Sequence, residues 1–367
     1  MTRSPFAAVT RVEGIRAGAL ALALLMAGCA TTPRPARSQE YLYVASQEDV
    51  TVSVIDMDAR ALVATVDLKE LGYSPTAKAH HVAVEPDGSF WYVSLIADGK
   101  VLKFDRSNRL VGQVDFETPG MLALDPGSDL LYVGRSMAAV NPPRRVGIVR
   151  RSTMEMEEID VFFPRPHALA VDPVRGRFYT ASLGENSVAY APLGEEEVDL
   201  LRVEAHHHHM FVQFAVSPDG RWMVTGGEMS GDLVVFDVSG DAPVAARTLH
   251  LGDKPWHPVF SPDGKELYVP RQTANAVDVL DTEEWSVKAT ITHPALSEPH
   301  GSAVSADGRT LFVSGRNLGG SYTPADGSEG RPGTVVAIDT GTREVVAVME
   351  VGRYAAGMGA PTRVPPR

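Results

Sequence analysis

The sequence lacks much of what common functions require. One cysteine among 367 residues excludes a disulfide framework and any cysteine-rich metal or iron–sulfur site. Positive charge is outnumbered, with 34 lysines and arginines against 46 aspartates and glutamates. A net charge of -12 argues against a nucleic-acid partner, because a phosphate backbone selects a basic footprint. There is no Cys-x-x-Cys-His haem attachment, no Gly-x-Ser-x-Gly elbow, no P-loop and no glycine fingerprint for a dinucleotide. Acidic runs such as Glu157-Glu158 and Glu195-Glu196-Glu197 read as solvated loops, so no carboxylate dyad for hydrolysis stands out. The remainder, 44% hydrophobic and 22% charged, is ordinary globular composition with apolar material for a sizeable core.

The apolar run Ala19–Met26 is too short to anchor a chain stably across a bilayer. Arg3, Arg11 and Arg16 precede it, and Met26-Ala27-Gly28-Cys29 closes it, so residues 1–28 read as an export signal. The closing residues resemble the lipobox of bacterial lipoproteins. That resemblance implies lipidation of Cys29, a membrane held through the N-terminal lipid, and a place in the cell envelope. With Ala30 and Thr31 following and no Asp after Cys29, the segment resembles known sorting patterns that imply the outer membrane of a two-membrane bacterium, facing the periplasm. Residues 29–40 read as a polar tether.

From Tyr41 onward the chain repeats itself. VAVEPDG, LALDPGS, LAVDPVR, FAVSPDG, PVFSPDG and SAVSADG recur, and taking Pro86, Pro126, Pro173, Pro218, Pro262 and Ala306 as anchors gives steps of 40, 47, 45, 44 and 44. A second short apolar run follows each turn, a third ends in Asp56, Asp105, Asp237, Asp281 or Asp339, and a fourth alternates. Period-two runs broken by Pro-Asp-Gly turns are antiparallel strands. Four of them in each repeat make a β-propeller blade. Six anchors are visible, and Tyr41–Asp67 supplies three strands with no inner strand before them. Ala355–Ala360 is the expected missing strand. The predicted fold is therefore all-β: a seven-bladed β-propeller of four-stranded antiparallel blades over residues 41–361, its ring closed by both ends of the chain. Residues 362–367 are left as a tail, and a monomer is expected. The runs Tyr41–Ser46 and Thr51–Asp56, with the repeated SPDG turns, resemble the bacterial YVTN-type (YncE-like) propellers, a family that implies this fold and no one function.

The histidines are not scattered. Ten of the eleven fall in the eight residues that end five before an anchor, the segments leading into the innermost strands. His80, His167 and His300 share one register and His81 and His257 the next, while His208 and His209 sit slightly earlier in a longer connector. All would gather around one mouth of the central channel. Convergent neutral imidazoles suit copper, zinc, iron or nickel. His80, His81, His167, His208, His209, His257 and His300 are thus the expected metal ligands, with copper the expected ion and zinc or iron the alternatives. His250 and His293 follow outer strands and read as structural. Met121, Met210, Met358 and Trp256 fall near the same mouth and read as packing.

The His80-His81 pair, with single histidines on other blades, resembles the catalytic propeller of the nitrous oxide reductases, where histidines hold a copper cluster. The blade of Met121 has no such histidine, and one cysteine cannot build a dinuclear thiolate copper centre. A mononuclear or small copper site is therefore the expectation, for metal handling or a redox step beside an electron-transfer or envelope protein. A bound tetrapyrrole, as in related nitrite reductase propellers, is a further option. A non-enzymatic scaffold for protein or cell-wall partners is the other reading.

Overall fold

A computed structural model describes residues 40–361. Leader residues 1–28, Cys29, most of the tether and the tail at 362–367 lie outside the described residues. The described chain forms seven four-stranded antiparallel sheets. Blades 2 to 7 take their strands in chain order, starting from Ala79–Val84, Pro119–Leu124, Pro166–Asp172, Phe211–Val216, Val259–Phe260 and Pro299–Val304. Blade 1 is the composite: Ala355–Gly359 pairs with Tyr41–Ser46, which continues into Thr51–Asp56 and Ala61–Asp67. Its closing register sets Tyr43 against Gly359 and Val44 against Met358. The innermost strands touch one another in cyclic order, so the sheets form a closed ring.

Burial explains the strand patterns. Second strands, covered on both faces by neighbouring blades, are almost wholly apolar and buried, as in FWYVSL at Phe90–Leu95. Outer strands alternate, as in Leu110–Asp115. The core lies between blades: Tyr43 of blade 1 stacks on Trp91 of blade 2 at 4.9 Å, and Tyr132 of blade 3 on Phe178 of blade 4 at 4.7 Å. Met121 and Met358 belong to this packing.

The recurrent polar residues hold the turns. The aspartates that end third strands accept backbone N–H groups of the next turn: Asp281 Oδ1 takes those of Glu283 and Glu284 at 2.9 and 3.0 Å, and Asp339 Oδ1 those of Gly341 and Thr342. In the Ser-Pro-Asp-Gly turn, Ser217 Oγ donates to Asp219 and accepts from the Trp222 N–H. One inner strand is shorter than its repeat predicts. In blade 6 the inner strand is broken into Val259–Phe260 and an isolated bridge from Pro255 to Arg271, with Pro258 between them, since proline has no N–H for the ladder. Among the described residues, no helix is long and apolar enough to cross a membrane.

Candidate metal centre

The histidines are aimed by irregular backbone. His80, His167 and His300 are each the second residue of their inner strand. In all three strands the register against the second strand slips across that position, between Ala79 and Val82, Pro166 and Ala168, and Pro299 and Ser302. A bulge there takes backbone out of the ladder and redirects side chains. Buried serines on two second strands repair the loss. The His81 N–H donates to Ser94 Oγ (3.2 Å), which donates to the Gly120 carbonyl of the next blade (2.7 Å). Across the ring, the Gly301 N–H donates to Ser314 Oγ (2.8 Å), which donates to the Ala356 carbonyl (2.7 Å).

Five imidazoles from four blades meet at the axis. Ring centres are 4.5 Å apart for His257 and His300, 6.0 Å for His80 and His300, 6.3 Å for His80 and His167, and 6.2 Å for His81 and His257. Trp256 closes one side, 5.5 Å from His300. The sequence places these histidines at one mouth of the channel; there the five rings pack on one another and are 1–8% exposed. Burial is the main force on their protonation, reinforced at His80, His81, His257 and His300 by neighbouring histidines. It pushes His81 down to about 3 and His167 to about 4, and holds His80, His257 and His300 well below the ordinary histidine range. All five rings are neutral at pH 7.

Hydrogen bonds assign the tautomers of His167 and His81. His167 Nδ1–H donates to the Arg135 carbonyl at 2.6 Å, leaving the Nε2 lone pair free to ligate. His81 is the reverse, since its Nδ1 accepts the Leu122 N–H at 3.3 Å and the proton stays on Nε2. Gln47 Nε2 lies 2.9 Å from His80 Nδ1, and turning that carboxamide would reverse the bond and free the lone pair of Nε2. His80 Nε2, His300 Nδ1 and Trp256 Nε1 are buried without a hydrogen-bond partner.

An ion held by nitrogen at about 2.1 Å keeps the centres of two imidazoles on it roughly 4.5–6.4 Å apart, for angles between 90° and 180°. The chamber's spacings fall in that range. No three of its ligand nitrogens come as close as a shared ion requires: among the described residues the one group of three with ligand atoms mutually within 4.8 Å is His207, His209 and Asp232.

That group divides the expected ligand set. His209, 2% exposed, lies with Asp232 of blade 5 and not with the axial five, and His208 Nε2 is buried without a partner. The connector places them so, because the His209 N–H donates to Asn186 Oδ1 and the Met229 N–H to the His209 carbonyl. His250, read as structural, bonds Asp232 Oδ1 at 2.9 Å. Sequence reasoning missed Asp232, although hairpin register pairs it directly with His250 and would have found it.

Comparison with protein families matches residues 115–328, more than half of the chain, to the family described as "Lactonase, 7-bladed beta-propeller". The chain belongs to this family. Among curated proteins, this lactonase-family propeller is 23% identical over 205 residues to the uncharacterized protein YncE of Salmonella typhimurium. That match spans 53% of the chain and 54% of the relative, about half the length of each. Among solved structures it resembles a functionally unknown protein from Desulfotomaculum acetoxidans (TM-score 0.68, 14% identity, 87% of this chain and 98% of that one). It also resembles the dihydro-heme d1 dehydrogenase NirN in complex with DHE (TM-score 0.57, 18% identity, 87% and 74%). At these identities the solved structures share the fold, and the chemistry of this propeller rests on its own residues.

Proposed function

We propose that this propeller binds a transition-metal ion in the axial chamber, with His80, His167, His257 and His300 as ligands and His81 as a hydrogen-bond donor beside them. The observation that carries this reading is a set of buried neutral imidazoles whose neighbouring ring centres lie 4.5–6.3 Å apart, with unpartnered nitrogens on His80 and His300. Their bonding partners are a carboxamide, a peptide N–H and a peptide carbonyl, so the rings bring no negative charge of their own. A buried all-nitrogen donor set without charge favours a monovalent ion, because the cost of desolvating an ion rises steeply with its charge. Cu(I) meets both conditions, and imidazole suits copper. The role that follows is copper handling or a one-electron step with a separate donor. Lactone hydrolysis, which the family's name describes, would require an activated water; rings held this far below the ordinary histidine range are weak general bases, and a bound ion would activate water more strongly.

The test is the metal content of untagged protein from cells supplied with copper and zinc, made in a His207→Ala background so that the exposed cluster does not contribute. About one equivalent of copper is expected, lost when His80 and His167 are both changed to Ala. Protein that carries no metal, or keeps it in the double variant, overturns the reading; visible absorption bands of a tetrapyrrole would replace it.

A further inference from the structure

Blade 5 carries a second constellation, of different chemistry. The connector before Phe211 runs through four consecutive histidines, from exposed His206 and His207 to buried His209. It is tied to blade 4 at two points: Asn186 Nδ2 donates to the His207 carbonyl at 2.8 Å, and Asn186 Oδ1 accepts the His209 N–H at 2.9 Å. Phe211 stacks under the His209 ring at 5.2 Å. Asp232 opens the third strand of the same blade, and its side chain is only 5% exposed. His207 Nε2 lies 2.8 Å from Asp232 Oδ2, His209 Nδ1 lies 3.4 Å from the same oxygen, and His250 Nδ1 lies 2.9 Å from Oδ1. Ser230 Oγ is 2.9 Å from His209 Nδ1.

One nearly buried carboxylate ringed by three imidazoles is more basic ligand than one negative charge needs. Two nitrogens and an oxygen held on an ion at about 2.0–2.2 Å lie roughly 2.8–3.6 Å apart for angles near 90–110°. The distances from Asp232 Oδ2 to His207 and His209 already match that spacing, and the two rings are 5.0 Å apart, within the range for a shared ion. We propose that His207 Nε2, His209 Nδ1 and Asp232 Oδ2 form a divalent-metal site at the surface of blade 5, with His250 positioning the carboxylate through its other oxygen. Two histidines and one carboxylate leave coordination positions open on the solvent side, where His207 is 55% exposed. The carboxylate fits a dication such as Zn(II), where the uncharged axial chamber fits a monovalent one. An open set of this kind exchanges its ion with solution. The proposal stands on contacts separate from those of the axial chamber.

Isothermal titration of the untagged full chain with Zn(II), together with Co(II) absorption spectra, tests it. One Zn(II) equivalent should be lost, or its Kd raised at least 100-fold, in His207→Ala, an exposed substitution that leaves the fold in place. His250→Ala should weaken binding about 10-fold without removing the equivalent. The d–d bands of bound Co(II) should vanish in His207→Ala and persist in the His80→Ala, His167→Ala protein. Unchanged Zn(II) affinity in both His207→Ala and Asp232→Asn would overturn the site. Loss of all binding in the His80, His167 variant alone would assign the metal to the axial chamber instead.

Discussion

At the scale of single residues, five buried histidines should write themselves into the stability of the metal-free protein. The unfolded chain titrates histidine near 6.5, whereas His81 and His167 are pushed down to about 3 and about 4 and the other three are also held low. Between those values the unfolded state binds more protons, so stability is full above about pH 6.5 and drains away as pH falls toward 4. Each ring that stays neutral costs the folded state about 1.4 kcal/mol for every pH unit below that point. Thermal unfolding from pH 7.5 to 5, where ordinary carboxylates remain ionised, should show Tm dropping steeply. Replacing His80, His257 and His300 with Gln should flatten the curve, and an equally steep decline in that variant would refute the neutral-ring description. The convergence of these rings was legible in the sequence, because a shared position before each turn becomes a shared position on the ring. Burial was not legible, since it depends on how closely the inner strands approach. Nor was the separation of His209, which follows from its tie to Asn186 of another blade.

Elements explain how that approach is held. Strand slips at the axis free backbone N–H groups, and Ser94 and Ser314 pair them while reaching to the next inner strand. Changing Ser94 to Ala removes a partner from the His81 N–H and from the Gly120 carbonyl together, neither of which water replaces in a buried seam. A loss of about 1–3 kcal/mol is expected, read from urea unfolding midpoints at constant slope. A midpoint unmoved by this change would show that the serine bridges are incidental. Small residues work beside them: a methyl group added at Gly357 would sit 2.6 Å from the His81 ring and 2.7 Å from the His80 carbonyl. The closing strand and the axial chamber are therefore packed as one unit. The sequence shows Ser94 as a small polar residue within the apolar run FWYVSL, which is why its bridging role could be seen only in three dimensions.

For the whole molecule, the repeat period and the turn residues carried most of the fold in advance. Seven blades, four strands each and closure by Ala355–Gly359 all follow from spacing, because a lone blade has no way to cover its two faces. The short inner strand of blade 6 is the exception, and its prolines say why. Deleting residues from Ala355 onward should leave Tyr41–Ser46 with an uncovered edge, and the product should appear in oligomers or aggregates by size-exclusion chromatography. A monomer with native far-ultraviolet dichroism would mean that the ring holds without its clasp.

Pairing Tyr43 with Gly359 has a temporal side. On the ribosome, the opening three strands appear roughly three hundred residues ahead of the segment that completes their sheet, and at about 5–20 residues per second that interval lasts some tens of seconds. Throughout it the nascent ring is a gapped arc with the Tyr41–Ser46 edge uncovered. Since Gly357 of the closing strand lies against the His81 ring, the axial histidines reach their final surroundings only once Ala355–Gly359 has been made, and any metal seated there would arrive no earlier.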